Sequence, residues 1–177
     1  MEIWAENRIL YDGKVVRLRV GEVTLDNGAR AGREVIEHPG GVCIAPFTGD
    51  SVILVRQFRI ALGHYILEAP AGKIEGEDDS PAIRAMHELE EETGYRAGRL
   101  VPVGAVYSSV GYCSEKIHLY LGLDLVKTEQ RLDDDERIEL IEMPIDEVRQ
   151  GLREHTFEDG KTAIVLQALL YYLDGDR

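Results

Sequence analysis

The sequence is poor in basic residues, in cysteine and in long apolar runs. It contains 20 Lys and Arg residues against 33 Asp and Glu residues, which gives a formal net charge of -13 at pH 7. A chain this acidic lacks the basic surface that non-specific binding to nucleic acids or anionic membranes requires. We therefore expect no nucleic-acid partner and no membrane partner, and small molecules are favoured over polymers as ligands.

Cysteines and leader-like segments are also scarce. Cys43 and Cys113 are too few for a disulfide framework or a cysteine-rich zinc site. Residues 1–10 contain no apolar segment behind a basic lead, and no run approaches the roughly eighteen apolar residues of a membrane span. These absences predict a cytoplasmic protein whose two thiols are reduced and lie in the core.

The sequence does contain a dense cluster of glutamates at the end of a short predicted helix. Ser80 and Pro81 are typical of a helix N-cap and first turn, and Gly94 is typical of the residue after the last turn. At about 100° per residue, one side of this helix carries three carboxylates and the opposite side carries four apolar residues. The carboxylates are Glu88, Glu91 and Glu92, and the apolar residues are Ala82, Ala85, Met86 and Leu89.

This arrangement of glutamates is unfavourable unless a cation is present. Like charges three or four residues apart on a helix cost about 0.2 to 0.5 kcal/mol per pair, and these lie near the negative end of the helix dipole. Oxygen ligands from one face of a helix suit Mg²⁺, Mn²⁺ or Ca²⁺. A solvated acidic surface is the alternative interpretation of such a glutamate run.

The flanking residues favour the metal site, because they resemble the Nudix box, G-x5-E-x7-R-E-U-x-E-E-x-G-U, where U is a bulky apolar residue. The segment HELEEETGY, residues 87–95, matches the end of this box, with His87 in place of the arginine. Counted from Gly72, this segment begins one residue late, so the acidic loop before it carries an insertion. Glu77 or Asp78 then serves as the acid in the middle of the box.

Hydrophobic patterns outline the rest of the chain. Alternating residues 3–37 predict an antiparallel β-meander, which makes residues 1–38 an N-terminal β-domain and residues 39–177 the main domain. Continuous apolar runs are typical of strands buried on both faces, and longer periodic segments indicate helices. The predicted strands of the main domain are 41–47, 51–59, 100–110 and 116–125, and its later helices are 143–152 and 162–173.

Two further segments resemble one branch of the Nudix hydrolases, the ADP-ribose pyrophosphatases and nucleoside diphosphate sugar hydrolases. They are VRQFR, residues 55–59, and LEAPAGKIE, residues 67–75. The resemblance implies an α/β fold, the Nudix α/β/α sandwich with a mixed sheet, preceded by an N-terminal antiparallel β-domain that the subunits of a homodimer exchange. It also implies metal-dependent hydrolysis of the pyrophosphate linkage of a nucleoside diphosphate sugar, which gives a nucleoside monophosphate and a sugar phosphate.

ADP-ribose is the first candidate substrate that the resemblance implies. The branch often has an SPG loop followed by an acidic residue and a lysine; Ser109, Gly111, Glu115 and Lys116 match, while Val110 stands at the proline position. This departure also admits a sugar nucleotide such as GDP-mannose. The missing box arginine and the inserted residue leave another function open, a nucleotide-sugar-binding sensor or scaffold with weakened catalysis.

The resemblance also implies roles for individual residues. The expected metal is Mg²⁺, with Mn²⁺ as an alternative, and its ligands are Glu88, Glu91, Glu92, Glu136 and the backbone carbonyl of Ala71. Glu136 is the first choice for the catalytic base, Asp134 is the second, Asp135 and Glu139 are reserves, and Glu91 is a further catalytic candidate. Arg59 is expected to contact the substrate's phosphates, with assistance from Arg33 or Arg56.

His87 is a weak substitute for the box arginine, which in the family orients the catalytic glutamates by ion pairing. A histidine loses its charge near neutral pH. Arg84 lies one turn before Glu88 on the same side of the helix. We therefore hypothesise that Arg84 takes the place of the box arginine.

Overall fold

The computed structural model describes residues 1–74, 80–132 and 136–175. The chain forms two compact units. One comprises Met1–Gly40 and Tyr107–Lys116, and the other comprises Gly41–Val106 and Ile117–Arg177. No helix in the described part of the chain is long and apolar enough to cross a membrane.

The first unit is built on an antiparallel sheet in the order β1-β2-β3, where β1 is Glu2–Asp12, β2 is Arg17–Leu25 and β3 is Arg30–Glu37. This is the predicted β-meander. Residues 107–116 pack on it through β3, because Ile36 N donates to Tyr112 O at 2.7 Å and Ser114 N donates to Ile36 O at 2.9 Å.

The second unit contains two sheets. Its strands are β4 (Gly41–Pro46), β5 (Ser51–Arg59), β6 (His64–Glu68), β7 (Ala71–Lys73), β8 (Tyr95–Tyr107), β9 (Lys116–Lys127) and β10 (Glu139–Pro144). One sheet has the order β7-β4-β9-β8 and is mixed, since β4 runs parallel to β9 and antiparallel to β7. The other sheet is antiparallel and has the order β10-β5-β6.

Helices cover both faces of the mixed sheet. They are α1 (Pro81–Thr93), α2 (Ile145–Arg153) and α3 (Gly160–Asp174). Successive side chains of β4 point to opposite faces: Val42 and Ile44 pack with Ala85 of α1, whereas Cys43 and Ala45 share a core with the apolar side of α3. The second unit is therefore an α/β/α arrangement with a mixed sheet, as the resemblance implied.

The structure also differs from the sequence predictions in places. Strands β6, β7 and β10 are short and were not predicted. Of the two cysteines, Cys43 is fully buried but Cys113 is only half-buried, so the prediction that both lie in the core holds for Cys43 alone.

Candidate active site

Helix α1 begins and ends where its sequence predicts. Ser80 occupies the N-cap position, although its side chain makes no capping hydrogen bond, and Pro81 is the first helical residue. Gly94 ends the helix in the left-handed conformation with φ of 69°, which glycine adopts without strain. A Cβ at this position would also lie 2.8 Å from Gln130 N.

The predicted division of α1 into an apolar side and an opposite carboxylate side needs correction. Ala85 and Leu89 are fully buried, but Ala82 is exposed, and Glu88 and Glu92 are themselves buried, with 6% and 3% of their surface exposed. The helix packs against β4 and β7. The two carboxylates therefore lie inside the protein, and the alternative of a solvated acidic surface does not apply to them.

Glu88 lies against a glycine of β7. A Cβ at Gly72 would lie 1.5 Å from Oε1 of Glu88 and 1.9 Å from its Cδ, so a glycine is needed here for the carboxylate to fit. Arg84 forms an ion pair with the same Oε1, whereas His87 is exposed. The ion pair that we hypothesised is present in the structure, and its importance for turnover remains a prediction.

Glu92 is hydrogen-bonded to the first residue of the same short strand. Its Oε2 accepts a hydrogen bond from Ala71 N at 3.1 Å. Ala71 pairs with Cys43 of β4, so the mixed sheet holds the donor in place. The contact seen between Ala71 and this site uses its amide, and the metal contact through its carbonyl remains a prediction.

Burial raises the pKa of both glutamates. The pKa of Glu88 rises to about 7, mainly through burial, against the opposing effect of Arg84. The pKa of Glu92 rises to about 8 through burial and the nearby charge of Glu88. The negative charge of Glu136 also raises both pKa values, so Glu136 lies near both carboxylates. A divalent cation would stabilise the charged form of such a pair.

The donors that are present suit a divalent ion that keeps water molecules in part of its coordination shell. Within residues 1–74, 80–132 and 136–175, no three His, Cys, Asp or Glu side chains are close enough together to hold a metal. Mg²⁺ does not need such a cage, because it keeps several waters and is often bound by one or two carboxylates plus substrate phosphates. Buried Glu88 and Glu92, with half-buried Glu91 beside them, provide carboxylate ligands of this kind.

The chain that leads to Glu136 is attached to the end of α1. Gln130 Nε2 donates to Glu92 O at 2.6 Å, and Arg131 N donates to Glu91 O at 2.9 Å. Thr128 N likewise donates to the carbonyl of the residue after the helix, at 2.7 Å. These bonds satisfy carbonyls that a helix end would otherwise leave without partners. They place residues 128–131, which precede Glu136 in the chain, beside the glutamates of α1.

Glu136 lines a cleft of about 680 Å³, whose other lining residues are Arg56, Tyr65, Leu132, Arg137, Ile138 and Glu139. This position and its effect on the two glutamates agree with the choice of Glu136 as the base, which stays a prediction. Four other acidic candidates, Glu77, Asp78, Asp134 and Asp135, lie outside the described residues.

Arg59, the main phosphate candidate, ends β5 and is held by a buried glutamate. Its Nε and Nη2 donate to Oε1 and Oε2 of Glu68 at 2.6 and 2.8 Å, which is a bidentate pair. The Glu68 side chain is 1% exposed, whereas that of Arg59 is 41% exposed. The pairing with Glu68 raises the pKa of Arg59, and Glu92 acts in the same direction, so this arginine also lies near the glutamates of α1.

Arg33 and Arg56, which were expected to assist Arg59 in phosphate binding, lie in different units. Arg56 is 4.6 Å from the centroid of the Tyr65 ring, and its Nη1 donates to Glu139 at 2.9 Å, within the same cleft as Glu136. Arg33 belongs to the first unit, where its Nε donates to Glu2 at 2.8 Å. The second unit thus brings together the expected residues of α1 and β7, with Glu136, Arg56 and Arg59.

Two charged residues of this region were missed in the sequence, Glu68 and Lys161. Lys161 Nζ lies 2.8 Å from Glu68 Oε2 and 2.9 Å from Asp159 Oδ2. The two residues are 93 positions apart, so no local pattern connects them. The available signal was a lysine in the first turn of a strongly apolar helix, where a charge needs a buried partner.

A family model described as the NUDIX domain matches residues 37–164. The chain belongs to the NUDIX family. The resemblance that the box residues indicated is therefore confirmed, and α1 is the helix of the NUDIX box.

Several relatives of known name resemble the chain over most of its length. A methanol dehydrogenase activator from Bacillus methanolicus is 40% identical, and an ADP-ribose pyrophosphatase from Bacillus subtilis (strain 168) is 37% identical; both alignments cover 90% of this chain and 88% of the relative. A GDP-mannose pyrophosphatase from Cronobacter sakazakii is 32% identical over 89% of this chain and 81% of its own.

A solved structure shares the fold. The crystal structure titled ADP compounds hydrolase matches with a TM-score of 0.86 at 21% identity, and the match covers 98% of this chain and 95% of that chain. The predicted α/β fold class is therefore confirmed.

The ion pair within the NUDIX box helix leads to a test of the arginine substitution. We expect Arg84→Ala to lower kcat/KM roughly 10- to 100-fold, because a hydrogen bond to a charged group contributes about 1.5 to 3 kcal/mol. His87→Ala is the matched control and should stay within about twofold of wild type, since His87 is exposed. Steady-state kinetics with ADP-ribose and Mg²⁺ measure both; unchanged turnover in Arg84→Ala together with loss in His87→Ala would refute the substitution.

The raised pKa values predict an unusual pH dependence of stability in the metal-free protein. In the folded protein, Glu88 and Glu92 have pKa values of about 7 and about 8 instead of the ordinary 4.5. At pH values between the ordinary and the raised pKa, the folded state therefore binds more protons than the unfolded state. Raising the pH from about 5 to about 9 should therefore lower the melting temperature. Carboxylates with a lowered pKa, such as Glu68, affect the pH dependence of stability mainly below about pH 5.

Added Mg²⁺ should raise the melting temperature more at about pH 8.5 than at about pH 5.5, because the metal binds the deprotonated carboxylates. Calorimetric melts in EDTA and in Mg²⁺ measure both trends. A metal-free melting temperature that increases steadily over this range would show that the pair does not control the pH dependence.

Proposed function

We propose that the chain hydrolyses the pyrophosphate linkage of a nucleoside diphosphate sugar to a nucleoside monophosphate and a sugar phosphate. The observation that carries this proposal is the buried pair Glu88 and Glu92 on the NUDIX box helix, with Arg59 close enough to interact with Glu92. The relatives named ADP-ribose pyrophosphatase and GDP-mannose pyrophosphatase support this substrate class.

The chemistry follows from the charges of the substrate. The negative oxygens of a pyrophosphate repel an incoming nucleophile, and a bound divalent ion would neutralise those oxygens and lower the pKa of a coordinated water. Glu88 and Glu92 would hold this ion, which we propose to be Mg²⁺, with Mn²⁺ as the alternative. Glu136 would accept the proton of the attacking water. Arg59 would bind a phosphate oxygen with the part of its guanidinium that Glu68 does not engage.

ADP-ribose is the first proposed substrate, and a sugar nucleotide such as GDP-mannose is the second. A catalytically weakened sensor is less well supported. Binding a nucleotide sugar would not by itself require two buried carboxylates, whereas metal-dependent hydrolysis uses them. The observed pair between Arg84 and Glu88 also removes part of the reason for doubting catalysis, since a guanidinium still contacts this glutamate.

A panel of substrates tests the proposal. The protein is incubated with Mg²⁺ and ADP-, GDP- and UDP-linked sugars, and the products are identified by chromatography and mass spectrometry. We expect a nucleoside monophosphate and a sugar phosphate from ADP-ribose, GDP-mannose or both. Binding of these compounds without turnover of any diphosphate linkage would favour the sensor and overturn the enzyme proposal.

A homodimer that exchanges residues 1–38 is part of this proposal, as is a reducing, cytoplasmic setting. Large apolar side chains of the first unit support the dimer because a second copy would cover them: Ile3, Leu10, Tyr11 and Val15 are each more than half exposed. Both cysteines are free, which suits a reducing compartment. A purely monomeric species at micromolar concentration in sedimentation equilibrium would contradict the dimer.

A further inference from the structure

The N-terminus of α3 is attached to the segment 68–71, which joins β6 to β7. Asp159 caps the helix by accepting a hydrogen bond from Thr162 N at 3.1 Å. The Thr162 hydroxyl donates to Asp159 and accepts from Ala69 N at 2.8 Å, and Thr162 is fully buried. The start of α3 therefore holds the backbone of the segment 68–71 at Ala69.

Lys161 adds an ionic attachment between the same two elements. Its Nζ contacts Glu68 Oε2 at 2.8 Å and Asp159 Oδ2 at 2.9 Å, and its side chain is only 17% exposed. Arg59 also pairs with Glu68. Two cations and two carboxylates therefore alternate, in the order Arg59, Glu68, Lys161, Asp159. Buried charges persist in proteins when they are paired in this way.

The segment 68–71 connects the phosphate-binding and metal-binding parts of the site. At its start, Glu68 holds the guanidinium of Arg59 through two hydrogen bonds. At its end, three residues later, Ala71 N donates to Glu92. Movement of this segment would therefore displace the arginine and a glutamate of the NUDIX box helix together.

We propose that Lys161 is a positioning residue for the reaction, which holds the Glu68 carboxylate so that Glu68 keeps Arg59 in the orientation that binds the substrate's phosphate. This inference rests on the proposed function. Without the ammonium group, Glu68 and Asp159 are two neighbouring carboxylates that share no cation, and Glu68 retains one of its two cationic partners. Arg59 is then no longer held in a single orientation.

Kinetics of the full-length protein test the proposal. In Lys161→Met, we expect the KM for ADP-ribose with Mg²⁺ to rise about tenfold, with a smaller change in kcat. The effect should largely disappear when Arg59 is already replaced by alanine, because residues that act through one another are not additive. Equal effects of Lys161→Met with and without Arg59 would show a merely structural role and overturn the proposal.

Arg149→Met is the matched control. Arg149 pairs with Asp174 at the opposite end of α3, so its removal takes away an ion pair from the same helix without touching the segment 68–71. Its KM should match that of wild type. If Lys161→Met does not fold, Lys161→Gln is used; its KM should also rise, but by less, because the amide can still donate a hydrogen bond to Glu68. A KM unchanged in the folded variant overturns the proposal.

A second readout does not depend on turnover. Hydrogen exchange at Nε of Arg59 is followed by ¹⁵N NMR, with the signal assigned by its loss in Arg59→Lys. The bond from Nε to buried Glu68 should slow exchange in wild type, and exchange should become at least about tenfold faster in Lys161→Met. Unchanged exchange overturns the role of Lys161 whatever the activity, whereas absence of turnover in wild type would defeat only the proposed function.

Discussion

Replacing Glu92 by glutamine is expected to lower kcat roughly 10³-fold while leaving the protein folded. The substitution removes a metal-binding charge, and the loss of several kcal/mol of transition-state stabilisation corresponds to this factor. The amide oxygen of glutamine can still accept the hydrogen bond from Ala71 N, so the local packing is retained. Steady-state kinetics with ADP-ribose and Mg²⁺ provide the measurement.

The same substitution should not reduce the stability of the metal-free protein near pH 8. Glu92 has a pKa raised to about 8, which means that its charged form is disfavoured inside the fold, and a neutral amide avoids that cost. Glu90→Gln is the matched control on the same helix, since Glu90 pairs with Arg96 at its surface. We expect this control to keep nearly full activity. Activity of Glu92→Gln within about tenfold of wild type would contradict the assignment.

Replacing Gly72 by alanine is also expected to cause a large loss of activity, through steric displacement of Glu88 alone. The new Cβ would occupy the place of the Glu88 carboxylate, 1.5 Å from its Oε1, so Glu88 must leave its position. We expect kcat/KM to fall about 10²-fold or more, with a weaker dependence on Mg²⁺ and about 1 to 3 kcal/mol lower stability. Kinetics as a function of Mg²⁺ concentration and denaturant unfolding measure these effects.

Two further variants test whether the loss of activity in Gly72→Ala comes from displacement of Glu88. Gly32→Ala adds a methyl group at an exposed strand position with no neighbour within 4 Å, and it should behave as wild type. In a Glu88→Gln background, Gly72→Ala should add little further loss of activity, because both changes remove the same carboxylate. If the two losses multiply instead, Gly72 acts by a route other than the placement of Glu88.

Local features of the sequence predicted the position and the bounds of the NUDIX box helix well. The cap positions, Pro81, Gly94 and the spacing of the glutamates are all properties of one short segment, and the helix bounds follow from them. The burial of Glu88 and Glu92 did not follow, because helical spacing alone assigns them to the side opposite the apolar residues. Their burial depends on β7, a three-residue strand with no distinct hydrophobic pattern.

Features that depend on distant parts of the chain were predicted less well. The strand β10 contains two glutamates and a proline among its six residues, and its pairing with β5, including Glu139 opposite Arg56, specifies it as a strand. The network of Glu68 and Lys161 joins residues that the fold brings together from 93 positions apart. Resemblance to the family indicated Arg59 as a phosphate ligand, but only the structure shows what holds it.

A ³¹P NMR time course of the wild-type protein with ADP-ribose and Mg²⁺ follows the proposed hydrolysis at the reacting phosphates themselves. We predict that the diphosphate signals disappear and two phosphomonoester signals, from AMP and ribose 5-phosphate, replace them. Addition of EDTA or use of Glu92→Gln should stop this conversion. If the diphosphate signals of ADP-ribose and of GDP-mannose persist in the presence of folded protein and Mg²⁺, the buried glutamates do not serve pyrophosphate hydrolysis.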